Sequence, residues 1–285
     1  MHALTVAALA ATSPAAVFAG GETCSSCDAA DKSPELAKSA AASLRQAVAQ
    51  IRGDDVHALR DAVTRAATQL KGWRAGRELK SALDLTANVR ADIAATILRG
   101  VAGRVAADLE FSPLSEAEVP VGWPAYTPVG EVAVREYPVY RAARTTKGMF
   151  AGNGRFWALF RHIERHEIPM TAPVEMTLEV SADGKPMASE RSMAFLYPST
   201  ATGKTGDEGN VEIVDIPAAT AVSIGVRGKI SQARIARAQE ALDTWLKANA
   251  DRYARAGDLR VLGYNSPMVP DAQSYFEVQV PVTKK

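Results

Sequence analysis

The chain has 285 residues, 47% of them hydrophobic, which is enough to bury one large core or two modest ones and too much for a disordered chain. Lys and Arg number 33 against 32 Asp and Glu, a formal net charge of +1. So even a balance argues against a nucleic-acid binder, which needs a strongly basic face, and gives no polybasic case for an anionic membrane surface. Four His and two Cys leave little material for a metal-rich protein.

From Met1 to Gly21 there is no Asp, Glu, Lys or Arg. The apolar stretch Leu4–Ala11 leads to Val17 and Ala19, small residues at the two positions a signal peptidase reads. The expectation is a signal peptide over 1–19, cleaved after Ala19, and a periplasmic or secreted protein, although only His2 stands where basic residues usually do. The segment is too short and Ala-rich for a stable membrane span. Residues 20–32 read as a flexible tail. Its Cys24 and Cys27 lack the following His of a c-type haem attachment motif and any second ligand pair for zinc, so in an oxidising compartment they are expected to form a local disulfide.

Residues 33–110 read as helix. Ser33, Pro34 and Glu35 are a cap, a first-turn Pro and an early carboxylate. Leu36, Leu44, Val48 and Ile51 mark one face, and Gly53-Asp54 is a break. Asp54 or Asp55 caps a second helix carrying Val56, Leu59, Val63 and Leu70. Gly72 and Gly76 punctuate a third, and a long run carries Leu79, Leu83, Val89, Ile93, Ile97, Val101 and Val105. Spacings of three and four predict amphipathic helices that need partners, hence a helical hairpin or bundle. Residues 111–128, with Pro113, Pro120, Pro124 and Pro128, read as a linker.

From 129 to 285 the pattern turns to strands. Strands are expected at Glu131–Tyr137, Tyr140–Thr146, Val174–Val180, Ser192–Tyr197, Val211–Ile216, Thr220–Val226, Val261–Tyr264 and Tyr275–Val280, with a hairpin turn at Asp183-Gly184. Helices are expected from Asn153 or Gly154 to about His166, and from about Ser231 to Ala250. The order describes two βαββ-like halves in an α+β domain, with a cleft between them that suits a small ligand.

Several motifs in this half resemble the SOUL haem-binding protein family. They are Arg135-Glu-Tyr-Pro-Val-Tyr-Arg-Ala, Phe156-Trp-Ala-Leu-Phe-Arg-His-Ile, Ile168-Pro-Met-Thr-Ala-Pro-Val-Glu-Met, Met193-Ala-Phe-Leu-Tyr-Pro-Ser and Gly263-Tyr-Asn-Ser-Pro-Met. The resemblance runs over about 129–283 and implies an eight-stranded, distorted barrel-like α+β domain built from two similar halves. It also implies non-covalent binding of haem or another tetrapyrrole in a surface cleft beside the helix that starts near 153. Asn153 stands where some members carry Arg, Glu136 where some carry His, and His162 where relatives usually have Tyr.

Haem binding needs a flat apolar surface, cations for the propionates and, in many proteins, an axial ligand. Candidate cofactor-binding residues are therefore Phe156, Leu159, Phe160, Arg161, His162, His166 and Met170, with Met149 and Met176 adding polarisable surface. Phe156, Leu159, Phe160 and Ile163 equally suit packing of the helix onto the sheet. His162 or His166 could be the axial ligand, or an ordinary hydrogen-bonded histidine. The pair, four residues apart, could also chelate a divalent metal, but no third ligand is evident and Ile163 after His162 excludes HExxH. Met170-Thr-Ala-Pro-Val and Tyr264-Asn-Ser-Pro read as shaped turns. With Gly-x-Ser-x-Gly and phosphate loops absent, no catalytic residue is assigned and the chain is not expected to be an enzyme. The expected function is a haem or porphyrin carrier or buffer. The alternative is a module for another small ligand or a protein partner in the same cleft, with the helical region serving homo-oligomerisation.

Overall fold

The structure, a computed structural model, describes residues 34–51, 55–146, 154–180 and 186–285. The expected signal peptide, the Cys24–Cys27 pair, the Gly53-Asp54 break, Met149, Asn153 and the Asp183-Gly184 turn lie outside the described residues.

Among the described residues four helices come first: α1 (Pro34–Gln50), α2 (Val56–Gln69), α3 (Arg74–Leu85) and α4 (Ala91–Leu109). Asp55 caps α2, its carboxylate accepting the Ala58 N–H at 3.1 Å. Leu44, Leu59, Val63, Leu70, Trp73, Leu79 and Leu98 bury their side chains in one bundle core. The expected run from Leu79 to Val105 is divided in two. Thr86 is buried as the C-cap of α3, where its N–H at 3.1 Å and its hydroxyl at 2.7 Å both donate to the Ala82 carbonyl, and the chain re-enters helix after Arg90. Gly76 does not punctuate a helix end but lies inside α3. A Cβ there would overlap the Leu70 carbonyl oxygen at the end of α2, so only glycine permits this approach of the two helices.

The bundle is fastened to the rest of the chain at the start of α3. Trp73, in the cap position, does not cap the helix with its side chain. Glu131, remote in sequence, accepts the backbone N–H groups of Arg74 at 2.9 Å and Ala75 at 3.0 Å, so a buried carboxylate meets the positive end of that helix.

The strands are β1 (Val132–Tyr137), β2 (Tyr140–Thr146), β3 (Val174–Val180), β4 (Pro186–Leu196), β5 (Gly206–Glu208), β6 (Val211–Ile216), β7 (Ala219–Arg227), β8 (Tyr253–Arg255), β9 (Arg260–Gly263) and β10 (Tyr275–Lys284). Helix α5 (Gly154–Arg165) precedes β3, and α6 (Gln232–Ala248) precedes β8. All strand pairs are antiparallel, in the order β1-β7-β10-β9-β3-β4-β2-β6-β5, with β8 on β10. Without the three-residue strands β5 and β8, that order is a palindrome of the two halves. Substituting β1 for β6, β2 for β7, β3 for β9 and β4 for β10 reverses it onto itself. Each half, β2-α5-β3-β4 or β7-α6-β9-β10, is a βαββ unit, and each takes its edge strand from the other. Among the described residues no pairing joins the two ends of the path.

Both helices pack on residues of one sheet face. Leu159 and Ile163 of α5 meet Ala143, Phe195 and Ile213, while Ile235, Ala238 and Leu242 of α6 meet Val222, Val261, Phe276 and Val278. The opposite residues of the same strands are buried too. They are covered by the Pro-rich stretch, which packs Phe111, Trp123, Tyr126 and Val129 against Tyr137, Leu262, Tyr264 and Tyr275. Trp123 lies edge-on to Tyr137 and Tyr140 and donates its indole N–H to the Tyr264 hydroxyl at 3.2 Å. The two turn motifs receive this strap. Glu116 accepts from the Ser266 backbone N–H and hydroxyl, which hold its carboxyl below the usual range, and Asn265 donates to the Leu114 carbonyl. The Ala172 N–H donates to the Glu118 carbonyl, while the Thr171 hydroxyl is tied to the Leu196 carbonyl.

Candidate functional site

The candidate residues lie on α5, whose two flanks carry different chemistry. At 100° per residue, Phe156, Leu159, Phe160 and Ile163 centre one stripe. Leu159 and Ile163 are its buried middle, and Phe156 and Phe160 are its half-buried margin, with Phe156 edge-on to Phe195 at 5.1 Å. Beyond that margin stands Trp157, 51% exposed. Phe156, Trp157 and Phe160 touch one another, with ring centroids 5.6–6.1 Å apart. Arg161, the next residue along, is exposed, and so is Met170 after the helix. A large aromatic surface therefore stays open to solvent beside a guanidinium.

His162 and His166 occupy the other flank, about 140° and 180° around the axis from Trp157 at ideal helical spacing. Their rings are 4.7 Å apart. His162 is buried, with Nε2 2.7 Å from the Tyr197 hydroxyl and Nδ1 3.2 Å from Oε2 of Glu208. His166 places Nε2 2.7 Å from the same Glu208 oxygen. Burial holds the His162 imidazole below its ordinary pKa, the Glu208 charge only partly offsetting this. Tyr197 is pushed up to about 12 by burial and then by the Glu208 charge, so its hydroxyl stays neutral.

The helix ends just beyond, in a Schellman turn. The Ile168 N–H reaches the Ile163 carbonyl at 2.9 Å, and Glu167 takes the left-handed conformation, φ 53°, that glycine usually fills. A cavity of about 170 Å³ opens here, bordered by both histidines, Glu167, Tyr197, Lys204 and Glu208.

The structure thus divides the sequence-derived candidates. Phe156 and Phe160 join Trp157 on one edge, His162 and His166 lie on the other, and Leu159 faces the core between them. At ideal helical spacing the Trp157 edge and the two histidines lie about 140° and 180° apart around α5. The structure adds Trp157, Tyr197 and Glu208 to the candidates; the first two stand inside the family-like motifs but were not among the residues expected to bind. Glu208 is 42 residues from His166 in a Gly-flanked segment without periodicity, so nothing local marks it.

The SOUL heme-binding protein family model matches residues 123–281, more than half of the chain. The chain belongs to the SOUL heme-binding protein family. The match begins at Trp123, so it takes in the later part of the Pro-rich stretch that reads as a linker from composition. None of the curated proteins matches the chain. Among solved structures, the EcmrR C-terminal domain is 19% identical, with a TM-score of 0.42 over 54% of this chain and 98% of that one. An uncharacterized conserved protein from Listeria innocua is 12% identical, TM-score 0.41, over 55% and 95%. A structure described as a hydrolase from Listeria innocua is 11% identical, TM-score 0.40, over 55% and 94%. Likeness this distant carries no argument about function.

Proposed function

We propose that this chain is an exported haem- or tetrapyrrole-binding protein, a carrier or buffer, that holds the macrocycle non-covalently on the outer edge of α5. Family membership supports the ligand class. The observation that carries the location is the contiguous Phe156–Trp157–Phe160 surface, with a Trp half exposed and Arg161 beside it. An apolar plane suits the macrocycle face, and a guanidinium suits a propionate with paired hydrogen bonds. Binding, rather than turnover, is the role these groups support.

Haemin titrated into the purified chain is expected to give a saturable one-to-one Soret shift. Trp157→Ala removes the exposed half of the platform and should weaken it about tenfold, equivalent to about 1.4 kcal/mol. His166→Ala should leave the affinity within about twofold, because an imidazole about 180° around the helix does not meet the ring. No saturable shift would sink the haem reading. Loss in His166→Ala with Trp157→Ala unaffected would sink the location. Export is supported by the uncharged, Ala-rich run that ends at Val17 and Ala19, and a mature amino terminus at Gly20 is the expected result of sequencing the exported product. Product retained in the cytoplasm with residues 1–19 intact would refute it.

A further inference from the structure

The histidine flank of α5 is not used by a ligand on the aromatic edge, yet it gathers three groups with metal-binding atoms. His162 and His166 are separated by a single helical turn, so their rings project side by side. Glu208, on the short strand β5, brings a carboxylate to both. One ligand atom from each of the three residues lies within 4.8 Å of the other two. Two neutral imidazoles and a carboxylate, with a fourth direction open, form the three-ligand set of a non-structural zinc site.

We propose that His162 Nδ1, His166 Nε2 and the Glu208 carboxylate form a binding site for a divalent transition-metal ion, zinc above all, whose remaining coordination position faces the adjoining cavity. The imidazole donors select zinc, nickel or copper over magnesium and calcium, which take oxygen. His162 is already oriented for the task. Its Nε2 is engaged by the Tyr197 hydroxyl at 2.7 Å, which can accept the Nε2–H and so leave the Nδ1 lone pair directed at Glu208. A second partner that fixes the tautomer is the usual support behind a ligating histidine. Before an ion binds, the other neutral tautomer donates Nδ1–H to Glu208 and accepts the Tyr197 hydroxyl at Nε2, so the metal takes the place of that shared proton. The cavity of about 170 Å³ leaves room for water or a small ligand at the open position, with Lys204 on its border.

The site does not depend on the haem reading, because the two flanks of α5 are separate and the test reads the metal alone. Zinc chloride is titrated calorimetrically into the full chain carrying Cys24→Ser and Cys27→Ser, which silences the only thiols. One ion per chain at micromolar affinity or tighter is expected. His166→Ala and Glu208→Gln should each weaken it about 100-fold, and Tyr197→Phe about tenfold by loosening His162. His166 and Glu208 side chains are 39% and 40% exposed, so both variants should retain the parent far-UV circular dichroism. Absence of saturable zinc binding would overturn the proposal, leaving the three residues as a hydrogen-bonded tie between α5 and β5. So would stoichiometric binding indifferent to His166→Ala and Glu208→Gln.

Discussion

Glu277→Ala is expected to lower the unfolding free energy by about 4 kcal/mol, the value for removing one side of a buried charged network. Glu277 is 1% exposed on β10, beneath the 111–131 strap. Its Oε1 accepts the Thr127 N–H at 2.7 Å and the Tyr275 hydroxyl at 2.9 Å. Its Oε2 accepts the Ser223 hydroxyl at 3.0 Å, the Gln279 amide at 3.2 Å and the Tyr137 hydroxyl at 3.5 Å. Alanine strands the Thr127 N–H and the Ser223 and Tyr137 hydroxyls in a space water does not reach, while Tyr275 keeps the Thr127 carbonyl and Gln279 keeps the Tyr137 hydroxyl. Glu277→Gln separates charge from shape. One of its two oxygens becomes an NH₂ group, and each oxygen faces a donor that cannot reverse, the Thr127 N–H or the Gln279 amide. A cost of about 2 kcal/mol is therefore expected even for this near-isosteric change. Tyr137 and Tyr275 stay protonated and donating, since burial and then the Glu277 charge push both phenols well above their ordinary value. Urea unfolding followed by tryptophan fluorescence checks both figures. An alanine variant within about 1 kcal/mol of the parent would show that water or a rearranged strap satisfies the donors.

Glu277 also shows where sequence legibility ends. The alternation Tyr275, Phe276, Glu277, Val278, Gln279, Val280 predicts a strand with one wet face, and the strand is there. The wet face is dry because the Pro-rich stretch lies over it. Proline density announces an irregular backbone but not whether it packs; Phe111, Trp123 and Tyr126 in that stretch were the available signal. The helices were legible because a stripe at spacings of three and four has few other uses. The break after Leu85 escaped because no Gly or Pro stands between Leu85 and Arg90 to announce it. Strands β5 and β8, three residues each, are too short to show a period. The separation of His162 from Trp157 follows from helical spacing alone, so it was present in the sequence, whereas the partnership of both histidines with Glu208 requires the fold.

The pair Arg260 and Glu175 tests the same buried face where the two halves meet, at the pairing of β9 with β3, with an outcome that depends on whether one partner or both are removed. The two side chains are 11% and 13% exposed, with Arg260 Nη1 3.5 Å from Glu175 Oε2. Tyr140 donates to that carboxylate at 2.8 Å, and Arg260 donates to the Tyr140 hydroxyl at 3.2 Å and to Gln279 Oε1 at 3.0 Å. Arg260 Nε has no hydrogen-bond partner, so the guanidinium has not recovered all it lost on leaving water. Glu175→Leu leaves that cation uncompensated and should cost about 4 kcal/mol, and Arg260→Met, which strips the carboxylate of its counter-charge, about 3 kcal/mol. Changing both to Glu175→Leu/Arg260→Met substitutes apolar volume for an imperfectly satisfied pair and should cost only about 1 kcal/mol. The double-mutant cycle then yields a coupling of about 6 kcal/mol, above the usual range for contacting residues because each single variant strands a charge. Equilibrium unfolding of the four proteins measures it. Additive costs would mean that the two groups are solvated independently and that this face of the sheet is wetter than its burial indicates.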